Sequence, residues 1–174
     1  MGNSKANSFF FSVLVSVLSL QSSQAIAQPG NCTDDPQFSA RDFWLGSWSV
    51  TSNINGSLAG NNIIEKQEGG CLIMERWTGA SGGTGTSLNY YNPVNQTWRQ
   101  LWVSAGAYSI DISGGIEDGS MVLTGNIYYF AAGSVGFRGS WTPNADGSVR
   151  QFFEQYNDET QSWDVWFDGK YERE

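Results

Sequence analysis

The chain has 174 residues, with 17 acidic against 9 basic side chains, a formal net charge of −8, two cysteines and no histidine. A surface this acidic repels phosphate backbones and anionic membrane faces, so nucleic acid is not an expected partner. Without histidine, a Ser-His-Asp or Cys-His catalytic site and histidine-ligated zinc are excluded.

The chain opens on Lys5 and an apolar stretch from Phe9 to Leu20, followed by Ala25-Ile26-Ala27, the small-x-small pattern of a cleaved export signal. Ser12, Ser16 and Ser19 break the run, which falls short of the roughly 20 apolar residues needed to span a bilayer. The expectation is therefore a signal over 1–27, cleaved near Ala27, and an exported mature chain, periplasmic or secreted, with no membrane insertion. Cleavage leaves 147 residues, enough for one domain with its own core, carrying all 17 acids and 8 basic residues for a charge of −9. A tail over 28–41 and a single domain over 42–174 are expected, as a monomer or weak oligomer.

Cys32 in the tail and Cys71 in the domain both lie in the exported part. Oxidising surroundings favour a disulfide between them, closing a loop of about 40 residues; two buried thiols are the alternative. Asp35 to Asp42 reads as a single 3₁₀ turn. Beyond it, strand signals recur about every ten residues, near 43–53, 61–68, 71–78, 85–92, 97–105, 107–113, 120–129, 134–142, 148–156 and 163–172, with no sustained helical period. Gly69-Gly70 predicts a two-residue hairpin, while Asn92-Pro93-Val94-Asn95 and Asn144-Ala145-Asp146-Gly147 predict turns. Gly79-Ala80-Ser81-Gly82-Gly83-Thr84-Gly85 precedes a strand rather than a helix, so it reads as a hairpin at one barrel end, gating the interior, and not as a phosphate loop. In the last strand Trp163, Val165, Phe167 and Tyr171 share one face, with Trp166 breaking the alternation. The fold class expected is all-β: an antiparallel up-and-down barrel of about 8–10 strands, with a two-sheet sandwich as the alternative. Asn31-Cys32-Thr33, Asn55-Gly56-Ser57 and Asn95-Gln96-Thr97 match the glycosylation acceptor pattern.

Gly46-Ser47-Trp48 resembles the Gly-x-Trp signature of lipocalin-like, or calycin, barrels, in which an arginine near the chain end packs over the tryptophan. Arg173 is the match here, so the resemblance implies that Gly46, Trp48 and Arg173 close the barrel. A longer set of segments is similar to the DUF1579-type family of exported, largely uncharacterised bacterial proteins. It comprises Phe43 to Trp48, Glu65-Lys66, Gly70 to Trp77, Gly85 to Tyr91, Trp98 to Trp102, Val149-Arg150-Gln151 and Trp163 to Tyr171. That resemblance spans about 42–172 and implies fold but no activity; fold alone does not supply function. The missing histidine also excludes the proximal-histidine haem of the nitrobindin branch. No cofactor and no metal site are expected, since no run of Asp and Glu has the spacing of a calcium loop.

Three carboxylates lie in strongly apolar strands: Glu75, Asp111 and Glu154. If Glu75 and Glu154 face one dry cavity, desolvation and mutual repulsion raise a pKa and prepare acid or base chemistry. Period two places Glu75 with Ile73 and Trp77, and Glu154 with Phe152 and Tyr156, which favours inward placement. The alternative is an outer face paired with an arginine such as Arg76, Arg99 or Arg150. Of 25 aromatic residues, 22 remain after loss of Phe9, Phe10 and Phe11. They either fill a core or line an apolar pocket, for which Trp77, Tyr90, Trp102, Tyr108, Tyr129, Phe137 and Phe153 are the candidates. The leading functional expectation is an exported barrel that binds a small, mostly apolar molecule. The alternatives are a cofactor-free isomerase, cyclase or hydrolase using interior carboxylates, and an envelope interaction module with a filled core.

Overall fold

Ten antiparallel strands follow three short 3₁₀ turns in a computed structural model, which describes residues 1–2 and 30–174. The expected signal over 1–27 and its cleavage site lie outside the described residues. The strands are β1 (Gly46–Ser52), β2 (Leu58–Gln67), β3 (Leu72–Gly79), β4 (Thr84–Asn92), β5 (Thr97–Ser104), β6 (Tyr108–Glu117), β7 (Ser120–Tyr129), β8 (Gly133–Pro143), β9 (Val149–Asn157) and β10 (Ser162–Arg173). Each pairs with its sequence neighbours, and β1 pairs with β10, so the sheet closes into a calycin-like up-and-down barrel with no free edge. Alternation sets the two faces: β4 buries Ser87, Asn89 and Tyr91, and β7 buries Met121, Leu123 and Ile127. Among the described residues no helix is long and apolar enough to cross a membrane.

Two local expectations change. The single turn before the first strand is a series of 3₁₀ turns, Cys32–Asp34, Pro36–Ser39 and Asp42–Trp44. Gly69-Gly70 does not make a two-residue hairpin. It belongs to a further 3₁₀ turn, Glu68–Gly70, in which Glu68, Gly69 and Gly70 all take positive φ and Cys71 N donates to Glu68 O at 3.2 Å. This longer corner presents Cys71 to the tail.

The end of the barrel where β1 begins and β10 ends is solid. Trp44, Trp48, Trp141, Met121, Leu123, Val149 and Tyr171 are all buried there. Trp48 Nε1 donates to Trp44 O at 2.9 Å, Arg173 lies over the Trp48 ring at 4.4 Å, and Arg173 Nη1 donates to Leu45 O at 3.1 Å. Gly46 has φ of 133°, and a Cβ there would stand 2.6 Å from Arg173 Nη1. Glycine is thus required twice at this position, by conformation and by room for the guanidinium.

The tail finishes this floor. Phe38 packs edge-on against Tyr91 at 5.3 Å, and Arg41 and Trp44 are fully buried. The Cys32–Cys71 disulfide, spanning 39 residues, ties the tail to the corner between β2 and β3. Closing a loop of that length restricts the unfolded chain by up to about 4 kcal/mol. The double variant Cys32→Ser/Cys71→Ser is therefore expected to lose about 2–4 kcal/mol in urea unfolding. An unchanged midpoint and slope would show that the tail holds without its covalent tie.

Candidate functional site

The opposite end of the barrel is hollow. A cavity of about 120 Å³ opens towards solvent at the end carrying the 80–83 and 105–107 loops, lined by Trp77, Trp102, Tyr108, Ile110, Phe153, Trp166 and Phe167, with Glu75, Gln100, Gln151 and Tyr171 deeper in. The glycine-rich hairpin is at this end, closed by Gly79 N donating to Gly83 O at 2.7 Å.

The cavity exists because inward-facing glycines let its rings lie along the wall. A Cβ on Gly85 would overlap the Trp102 indole, one on Gly139 would overlap the Phe153 ring, and one on Gly169 would stand 2.5 Å from Phe167 Cζ. Each ring occupies the space a neighbouring strand leaves by lacking a side chain. β10 adds a bulge between Val165 and Phe167, which directs Trp166 and Phe167 both inward and leaves Val165 exposed. This is the origin of the broken alternation at Trp166.

Below the rings lies a hydrogen-bonded polar layer. Glu75 is 3% exposed; its Oε1 accepts from Asn62 Nδ2 at 2.7 Å, and its Oε2 from Ser87 Oγ at 2.5 Å and Gln100 Nε2 at 3.4 Å. Ser87 Oγ accepts from Asn89 Nδ2 at 2.8 Å, and Asn89 Oδ1 accepts from Arg41 Nη1 at 2.8 Å. Arg41 from the tail is thereby linked to Glu75 through two side chains. Its guanidinium is stacked between Trp141 at 3.9 Å and Trp44 at 4.3 Å. Burial pushes the Glu75 carboxyl above its ordinary 4.5, against the hydrogen bonds from Ser87 and Asn62 and the charge of Arg41. Burial likewise lowers Arg41 to about 9, opposed by Glu75 and Tyr171, and raises the Tyr171 phenol well above 10, with Glu75 adding to the rise.

Of the residues expected to form a pocket, Trp77, Trp102, Tyr108 and Phe153 line it, and Glu75 lies in its floor. Tyr129 and Phe137 stand behind the lining. The Tyr129 hydroxyl donates to Gln155 Oε1 at 2.6 Å and accepts from Trp166 Nε1 at 3.3 Å, while Phe137 packs edge-on against Phe153 and Trp166. Tyr90 is on the outer face, because Asn89 and Tyr91 take the inward positions of β4. Glu154 is also outside: Arg138 Nε donates to its Oε2 at 2.6 Å, so it shares no cavity with Glu75. Asp111 lies outside as well, in a bidentate pair with Arg99 at 2.9 and 2.6 Å. Sequence reasoning missed Gln100, Ile110, Gln151, Trp166, Phe167 and Tyr171 as lining residues, and Arg41 beneath them. The break at Trp166 and the apolar face shared by Phe167 and Tyr171 were the available signals. Among the described residues no group of three or more acidic or cysteine side chains is placed to hold a metal.

No family model matches the chain, and no curated protein matches it.

Two variants probe the site. Gly85→Ala is expected to drive the Trp102 indole into the lumen, reducing the cavity and changing intrinsic fluorescence while the barrel stays folded. Unaltered fluorescence and an unaltered cavity in a crystal structure would refute the glycine account. For Glu75, the raised folded-state pKa means its contribution to stability is full below 4.5 and is lost as pH rises through the folded value. Relative to Glu75→Gln, the parent should lose stability over that window with a slope of up to about 1.4 kcal/mol per pH unit. Urea midpoints measured from pH 4 to 8 give the difference curve, and a flat one would disprove the assignment.

Proposed function

We propose that the protein is an exported calycin-like barrel that binds a small, mostly apolar ring compound in the cavity above Glu75, without covalent chemistry. The observation that carries the reading is the unfilled aromatic lumen. Proteins close-pack their interiors, and a hollow held open by glycines is not what core packing alone produces. The size supports one ring: an engineered cavity of about 150 Å³ in another protein takes up benzene. A larger ligand seats one ring here and leaves its remainder at the mouth. The hollow also speaks against an interaction module with a filled core. The disulfide and the absence of a long apolar helix among the described residues are compatible with export, and periplasmic or secreted placement after cleavage near Ala27 is part of the proposal.

An enzymatic reading survives in one form, with Glu75 as the acid or base and Tyr171 beside it, because both line the cavity and burial raises the Glu75 carboxyl. The two-carboxylate version is withdrawn with Glu154 outside. Binding is preferred, since every oxygen of Glu75 is already engaged by neighbouring donors.

Titration with single-ring and fused-ring aromatics, followed by tryptophan fluorescence and thermal shift, is expected to give saturable quenching and a raised melting temperature. Trp102→Phe and Trp166→Phe should each remove part of the quenching. Absence of saturable binding across such a panel would end this reading.

A further inference from the structure

Gln100 and Gln151 are 2% and 6% exposed, they line the cavity from β5 and β9, and each leaves half of its amide unused. The orientation of Gln151 is fixed by its neighbour. An indole N–H only donates, so Gln151 must turn its Oε1 to Trp141 Nε1, which it accepts at 2.9 Å, and its Nε2 is left over. Gln100 turns its Nε2 to Glu75 Oε2 at 3.4 Å and Ser87 Oγ at 3.2 Å, and its Oε1 is left over. Among the described residues neither Gln151 Nε2 nor Gln100 Oε1 has a hydrogen-bond partner. Neither is sealed in protein, whereas Asn62 Oδ1 and Trp102 Nε1 are. The cavity floor therefore displays one donor and one acceptor beneath aromatic walls.

We propose that the ligand is an uncharged planar ring compound carrying both a carbonyl and an N–H, as in an aromatic primary amide or a lactam. The carbonyl accepts from Gln151 Nε2, the N–H donates to Gln100 Oε1, and the ring packs among Trp77, Trp102 and Phe167. This rests on the reading of the cavity as a binding site and adds the chemistry it selects. A ring compound lacking either group leaves a glutamine atom dry and unpaired when it displaces water from the floor, and that penalty is what discriminates.

Benzamide, acetophenone and cumene have nearly the same shape and offer, respectively, both groups, the carbonyl alone and neither. Their dissociation constants for the parent protein, from calorimetry or NMR titration, should rank benzamide tightest, with each missing group weakening binding by about tenfold. Gln100→Leu should remove the advantage of benzamide over acetophenone, because the benzamide N–H loses its acceptor and acetophenone no longer leaves Gln100 Oε1 dry. Gln151→Leu should abolish the advantage of acetophenone over cumene and leave benzamide only the part that its N–H draws from Gln100 Oε1. Because Gln151→Leu deprives Trp141 of its acceptor and can unfold the floor, the three-ligand series on the parent protein decides by itself. Cumene binding as tightly as benzamide would overturn the amide selectivity and leave the ring-binding reading standing. Failure of all three to bind would overturn both.

Discussion

A sheet of ten strands closed edge to edge encloses more space than its own side chains readily fill. Eight strands already give a lumen just wide enough for side chains or one small ligand, and diameter grows with strand number. The two halves of this barrel meet that excess differently. At the floor it is taken up by three indoles, Trp44, Trp48 and Trp141, together with a tail that folds underneath. At the mouth it is left open, because Gly85, Gly139 and Gly169 let Trp102, Phe153 and Phe167 lie flat on the wall. Aromatic residues are abundant in both halves. The glycines decide which half is solid.

The tail is accordingly part of the barrel and of the site. Arg41 brings a guanidinium into a fully buried position, where transfer from water costs several kcal/mol that must be recovered locally. Two stacked indoles and the hydrogen bond to Asn89 recover it in part, while its Nε and Nη2 find no partner among the described residues. Glu75, reached through Asn89 and Ser87, supplies the opposite charge. The disulfide fixes the same tail that supplies Arg41, and Arg41 bonds the Asn89 that in turn bonds Ser87, a partner of Glu75.

The strands were legible because turn chemistry punctuates the chain at regular intervals and each intervening run satisfies a period of two. Orientation was legible only where a strand has one apolar face. β9 carries Phe152 and Phe153 in succession, and either could have been inward; Phe153 is, while Phe152 lies under the Arg150 guanidinium on the outside, taking Glu154 with it. The same ambiguity at Tyr90-Tyr91 misplaced Tyr90. Closure by Gly46, Trp48 and Arg173 could be anticipated because a motif at one end of the chain had a partner at the other. Arg41, Gln100 and Gln151 could not, since a polar residue inside a barrel has no signature until the register of its neighbours is known. Inward glycines are equally silent in sequence, although each marks the place where a ring from the next strand lies down.

The three titratable groups beneath the cavity are shifted in a common sense. Burial raises the carboxyl of Glu75, lowers the guanidinium of Arg41 and raises the phenol of Tyr171, so each is biased towards its uncharged form. The space above them is the same low-dielectric interior, and a charged ligand entering it loses its water shell with no unpaired counter-charge to meet. What the floor does leave free is amide hydrogen-bonding capacity, at Gln100 Oε1 and Gln151 Nε2. A neutral polar edge on an apolar ring satisfies both conditions. Glu75 and Ser87 hold the Gln100 amide in place, and the Trp141 indole holds that of Gln151.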